Sequence, residues 1–446
     1  LKRTTINRLT ALSLGSTLLL SACGGEGTTP GGAAGGQGST GNDAKDKVTI
    51  HFWDSNAGPT TTPLYEELIK RFEQANPDIH VEYLGLPSAS ALQKFNTAIQ
   101  TGDTPDVAMV YDRWVSDFAA KGELLPLDPY FDKWDQKDNI GPIYIQTTRD
   151  YSHDKKLYQM PNALVLSIIW YRTDWLKEAG LPEPATWEDF FAYTEKLTDS
   201  AKKRYGFSLR GGPASITQLE QTLWSYSGLT SYFDESGKST INDPKNVEFV
   251  EKLAKLYKVY TPESNITNGF KEMVAEFNSG TAGMIIHNQS SYGQNENTLG
   301  KDKFAGLYLP ASPFTGKRAF VPSLSGYSLF KNSKHPEESW KFIAFLNSPE
   351  SQAYWNAKQT NIPTNSKAQV ETPTIKNGMA VMNDPNTLFV PAPTYLPDYG
   401  QIQTNLEPDF QAVLAGKMTA QQFMDKWADL YTKSKAKYDE RVKQAK

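Results

Sequence analysis

From Val48 to Gly122 the chain switches repeatedly between two hydrophobic periods, and that alternation restricts it to few folds. Val48, Ile50 and Phe52 recur every second residue, as in a strand with one buried face. Pro63 then opens a helix on which Leu64, Leu68, Phe72 and Ala75 share a side, and Asn76-Pro77 closes it. Ile79, Val81 and Tyr83 alternate again. Leu92, Phe95 and Ile99 make a second helical stripe ending at Gly102, and residues 106–111 form an apolar run suited to a buried strand. A helix through Phe118 follows and stops at Gly122. Strand, helix, strand, helix, strand predicts a parallel sheet in an α/β fold. In such sheets ligands sit at the carboxyl ends of the strands, which here means Trp53-Asp54 and Tyr111-Asp112-Arg113-Trp114.

The pattern restarts after an irregular stretch over 126–154. Residues 164–171 read as one strand, and 174–180 as a short helix stopped by Gly180. Thr186-Trp187-Glu188-Asp189 has the spacing of a capping box, in which the Thr hydroxyl covers a free helix amide. A strand at 205–209, helices from Asp243-Pro244 and over 270–279, and a strand at 282–287 continue the series. The tail adds a strand at 326–330, a helix at 335–347 and a mostly helical end from Leu406. At 446 residues, two compact lobes are expected.

Composition removes other classes. A net charge of -4 lacks the basic footprint of a nucleic-acid binder. The single cysteine, Cys23, allows neither a disulfide framework nor a cysteine metal site, and the five histidines show no metal-ligand spacing. His51 and His80 alternate with buried strand residues and are expected at the surface. No Gly-x-Ser-x-Gly elbow, P-loop or His-Glu-x-x-His is present. No catalytic set, metal or cofactor is expected, although the acidic residues leave a glycoside-active enzyme open as an alternative. Lys2, Arg3 and Arg8 precede a short apolar run over 9–20, and Leu20-Ser21-Ala22-Cys23 resembles the lipobox of bacterial lipoproteins. That resemblance implies a signal peptide over 1–22 and a lipidated Cys23 on the outer face of the cytoplasmic membrane. Residues 23–47, rich in Gly, Ser and Thr, form a flexible tether.

Six segments in order resemble the extracellular solute-binding proteins of carbohydrate ABC transporters, the family that includes maltose-binding protein. They are Gly102-Asp103-Thr104-Pro105-Asp106-Val107, the stretch 120–128, Lys156-Leu157-Tyr158-Gln159-Met160-Pro161 with 169–174, Ala185-Thr186-Trp187-Glu188-Asp189-Phe190, residues 277–284, and Ser348-Pro349-Glu350 with Ile362-Pro363-Thr364. The resemblance implies a two-lobe periplasmic-binding-protein-like fold (type II) whose cleft closes on ligand by a hinge. It would place lobe one at 48–152 plus 313–362, and lobe two at 153–312 plus 363–446. It further implies a monomer that captures a small saccharide and passes it to an ABC permease.

A saccharide site needs flat apolar rings and planar polar groups around them. Trp53 and Asp54 are candidates, Trp53 being either a ligand contact or core. Tyr111, Asp112, Arg113 and Trp114 are the densest group and fall where maltose-binding protein has an Asp-Arg pair touching sugar. Asp112 could equally cap the helix it precedes. Arg210 with Gly211-Gly212 lies after a strand, where glycines let a ligand approach backbone, or where a plain turn is made. Many relatives carry a stacking Trp after the next strand; this chain has Asn288 and, as the substitute ring, Tyr292. Ser325 lies on the return crossing, Tyr399 (with Tyr395) near another family Trp, and Asn162 just past Pro161. These loops hold few cations besides Arg113 and Arg210, which favours a neutral sugar over a polyol or glycerol phosphate.

Overall fold

The computed structural model describes residues 47–444, so the leader, Cys23 and the tether up to residue 46 lie outside the described residues. Strands β1 (Val48–Asp54), β2 (Ile79–Gly85) and β3 (Val107–Tyr111) run parallel, as the alternation predicts. With β4 (Met160–Val165), β10 (Ser323–Leu329) and β11 (Ile362–Pro363) they form a six-stranded sheet in the order β11-β4-β10-β3-β1-β2. β10 is antiparallel to both of its neighbours, β3 and β4. A second sheet, ordered β6-β7-β5-β8, uses β5 (Ser167–Arg172), β6 (Tyr205–Ser208), β7 (Ala282–Asn288) and β8 (Phe304–Tyr308). A two-stranded ribbon pairs β9 (Arg318–Phe320) with β12 (Thr387–Phe389).

Both faces of the first sheet are covered. Phe52 points to one side, with its ring 5.0 Å from Tyr65 and 5.3 Å from Phe342. Trp53 points to the other, toward Phe95 and Trp114. Helix Thr62–Ala75 buries Leu64, Leu68 and Phe72 of its predicted stripe, while Ala75 at its end is exposed. Helix Ser88–Thr101 buries Phe95 and packs Ile99 against the core as the stripe predicts, but Leu92 is 38% exposed and Ala91 and Ala98 face inward. Two alanines flanking one phenylalanine let that helix sit close over Trp53, a fit the periodicity of large residues alone cannot show. The capping box at Thr186 is present, its hydroxyl accepting from the Asp189 amide at 3.0 Å. His51 and His80 are at the surface, as expected.

The run 164–171 is not one strand. It ends β4 in the first sheet and becomes β5 in the second, with only the buried Leu166 between them. Gln289 joins the two: its Oε1 accepts from the Leu166 amide at 2.9 Å and its Nε2 donates to the Leu164 carbonyl at 2.8 Å. A strand buried on both faces carries no period that marks where its pairing partners change. By sheet membership the chain passes from the first sheet to the second at Leu166 and returns to the first between β9 and β10, at Val321-Pro322.

Candidate ligand cleft

On the first sheet the carboxyl ends of β1 and β3 meet the start of β10. Tyr111 is extended (ψ 144) and hands the chain to helix Asp112–Ala120. The Asp112 carboxylate is buried and accepts from the Arg113 amide at 2.8 Å. Burial raises its pKa, and the charge of Arg113, the Arg113 amide, the Ser323 hydroxyl and the Leu324 amide partly offset that. Asp112 is the first residue of its helix, whose N-cap is Tyr111 with no side-chain capping bond, and its carboxylate faces Ser323 and Leu324 at the start of β10. Arg113 is exposed, with its guanidinium 4.1 Å above the Tyr111 ring and 5.1 Å from Trp114. Tyr111 is half-buried and meets Trp114 edge-on at 5.0 Å. The solvent-facing part of this group is the Tyr111–Arg113 stack. Ser325, half-buried, pairs with Tyr111 across the sheet at a bulge.

Other expected contacts point inward. Trp53 and Trp114 lie in the core; Trp53 packs 5.4 Å from Phe95, with the Lys94 ammonium 5.2 Å from its ring. Asp54 is fully buried, accepting from the Asn56 amide at 2.8 Å and the Tyr83 hydroxyl at 3.0 Å, and burial pushes its pKa up to about 6. Asn162 is buried and donates to the Leu346 carbonyl at 3.1 Å, tying β4 to helix Pro336–Leu346.

On the second sheet Arg210 follows β6, half-buried, with its Nε donating to the Pro213 carbonyl at 2.7 Å. The two glycines after it serve packing, not ligand approach. A Cβ on Gly211 would stand 2.7 Å from the Asn265 carbonyl oxygen, and one on Gly212 2.1 Å from that of Thr267. Beside Arg210, His287 precedes Asn288, the last residue of β7, and the Phe270 ring stacks nearly parallel to its imidazole, centroids 5.6 Å apart at 14°. His287 opens the stretch 287–292 that the sequence marks as a candidate, but Phe270 is not marked by it; an aromatic directly after Asn268-Gly269 at a helix start is the available signal. Arg210 also lines a shallow hollow with Ser215, Gln218, Ile286 and Phe410 among others.

Three second-lobe candidates have other partners. Asn288 caps the next turn, its Oδ1 accepting from the Ser290 amide at 3.1 Å. Tyr292 packs against Trp170 and Phe304 and donates to Glu296 at 3.0 Å, so its ring is no free stacking surface. Tyr399 turns its hydroxyl to Glu220 at 2.6 Å. Glu220, only 1% exposed, also accepts from Tyr431 at 2.7 Å and Gln403 at 2.9 Å, and burial pushes its pKa up to about 7. Among the described residues no group of acidic, His or Cys side chains could hold a metal ion, and no helix is long and apolar enough to cross a membrane.

Two sheets are thus joined by crossing segments, with polar groups at the strand ends. Residues 58–353 match the family model described as bacterial extracellular solute-binding protein. The chain belongs to this family. Among its relatives, a binding protein of Brucella abortus is 28% identical over 329 residues, covering 72% of this chain and 76% of the relative. The sn-glycerol-3-phosphate-binding periplasmic protein UgpB of Salmonella typhimurium is 26% identical over 413 residues, covering 86% and 91%. The sugar-binding protein MalE of Xanthomonas citri superposes with a TM-score of 0.75 at 20% identity, over 89% of this chain and all (100%) of that one, which establishes the two-lobe fold. The family and fold are those of solute-binding proteins.

Proposed function

We propose that this solute-binding protein captures a small saccharide between its lobes, outside the cell, and delivers it to the permease of an ABC importer. The observation that carries the reading is the Tyr111–Arg113 stack at the end of β3, with Arg210 at the end of β6 on the other sheet. A guanidinium presents parallel N–H donors that suit neighbouring hydroxyls. A tyrosine ring beside it offers an apolar face with a polar tip. The crossings at Leu166 and Val321-Pro322 are short, so the lobes turn about a narrow hinge and Arg210 moves toward Arg113 on closure. Lipidation of Cys23 and the tether after it hold the monomer at the membrane surface within reach of the permease.

A second reading, glycerol phosphate, is favoured by the long alignment with UgpB. A thermal-shift screen separates the two. Ligand at a hundred times its dissociation constant adds about 2.7 kcal/mol of stability. Maltose, cellobiose, xylobiose and diacetylchitobiose are tested beside sn-glycerol 3-phosphate. A rise in melting temperature with one or more sugars is expected; a rise with glycerol phosphate alone replaces the saccharide reading by the second.

A further inference from the structure

The second sheet has an end that faces the crossing, and one exposed ring is held there. In β7, His287 stands opposite Ile168, two residues beyond Leu166, so it lies where the chain enters from the first lobe. β6 is the parallel neighbour of β7, which brings Arg210 to the same end. Phe270 begins helix Phe270–Ser279, whose start is fixed by the Glu272 carboxylate accepting from the Gly269 amide at 3.0 Å.

A lone exposed phenylalanine needs no explanation; this one is distinguished by how it is held. One face of its ring lies nearly parallel on the His287 imidazole, and the Arg210 guanidinium carbon stands 5.9 Å from its centroid. The ring is nonetheless 42% exposed. Burial and the charge of Arg210 lower the pKa of His287 to about 4, so the ring beneath Phe270 is neutral near pH 7. His287 Nδ1 is fixed 3.0 Å from the Ser291 hydroxyl. Arg210 is anchored through Nε alone, and among the described residues its terminal nitrogens have no hydrogen-bond partner. A supported apolar face beside unspent planar donors complements a sugar ring, whose C–H face stacks while its rim hydroxyls accept.

We propose that Phe270 is the platform on which a ring of the ligand packs in the second lobe, with Arg210 hydrogen-bonding the rim of that same ring. The ligand is then a pyranose-type saccharide and not an open-chain polyol or glycerol phosphate. The proposal rests on the saccharide reading above. Phe270 takes the place of Tyr292, which is spent on Trp170 and Phe304.

The test is calorimetric titration of maltose, cellobiose, xylobiose, diacetylchitobiose and sn-glycerol 3-phosphate into the wild type, Phe270→Ala, Phe270→Trp and Phe314→Ala. Phe314 is equally exposed at 43% but packs on Tyr226, away from Arg210 and His287, and serves as the control. Affinity for the bound sugar is expected to fall about tenfold in Phe270→Ala and to stay within about threefold in Phe270→Trp. It should be unchanged in Phe314→Ala. Wild-type affinity in Phe270→Ala overturns the platform and leaves the saccharide reading standing. A wild type that takes none of the sugars overturns the saccharide reading, and the platform with it.

Discussion

Replacing Glu220 by Gln should stabilise the protein at pH 8 and do little at pH 5. Glu220 sits on helix Ser215–Ser227, and its donors come from helices Tyr399–Leu414 and Ala420–Gln444. Its pKa is raised from 4.5 to about 7, so the folded state holds a proton that the unfolded chain has released. The sign follows: below pH 4.5 the group costs nothing, stability falls as pH climbs from 4.5 to 7, and above that the loss is constant. At about 1.4 kcal/mol per pH unit, the loss is roughly 3 kcal/mol. Gln cannot ionise and so escapes it. One of its amide hydrogens needs an acceptor among groups now donating, at about 1 kcal/mol. The net gain is about 2 kcal/mol at pH 8 and close to zero at pH 5, where the roughly 1 kcal/mol cost of Gln nearly cancels the penalty the wild type has already incurred. Urea unfolding of both proteins at pH 5, 6.5 and 8 measures the difference. Asp54, raised to about 6, and His287, lowered to about 4, titrate in both proteins and cancel. A difference between Gln variant and wild type that does not change with pH would refute the reasoning.

Three further outcomes are expected. Asp112→Ala should lose about 1–3 kcal/mol of stability in chemical unfolding, since the Arg113 amide and the Ser323 and Leu324 donors lose a buried acceptor, whereas Arg113→Ala should weaken sugar binding with stability nearly intact. Gly212→Ala should destabilise by more than about 2 kcal/mol, because its Cβ would fall 2.1 Å from the Thr267 oxygen; a melting temperature equal to wild type would mean that the 265–268 loop yields freely. Cys23→Ser should move the protein from the membrane fraction to the soluble one, as fractionation of the producing cells will show; retention would exclude the lipid anchor.

Legibility in the sequence followed how one-sided each segment's burial is. Helix Thr62–Ala75 shows a clear stripe because only one face meets the sheet. In helix Ser88–Thr101 Phe95 is legible, whereas the exposure of Leu92 is not, because the alanines Ala91 and Ala98 complete the buried side. The run through Leu166 hid the crossing because both faces of both strands are covered. At the site, Tyr111 and Arg113 were legible as polar, planar groups past a strand end. Trp53 was ambiguous because an indole suits a core as well as a cleft, and Trp114, expected at the ligand or on its helix's surface, lies in the core. Glu220 left no trace, being one acid in a helix whose partners lie 179 to 211 residues away.

The place of β10 has a consequence for how the protein is made. It lies between β3 and β4, so the two halves of the first sheet cannot join until residues up to 329 are free to fold. In a chain that emerges amino-terminus first, residues 166–329 must follow Val165 before that happens. Through that time β3, with the sequence Val107-Ala108-Met109-Val110-Tyr111, offers an unpaired apolar edge to any neighbouring chain. A nascent chain of this kind depends on being kept apart from its copies, by a chaperone or by dilution. Fragments ending before residue 323 should therefore accumulate as insoluble aggregates and not as a folded first lobe.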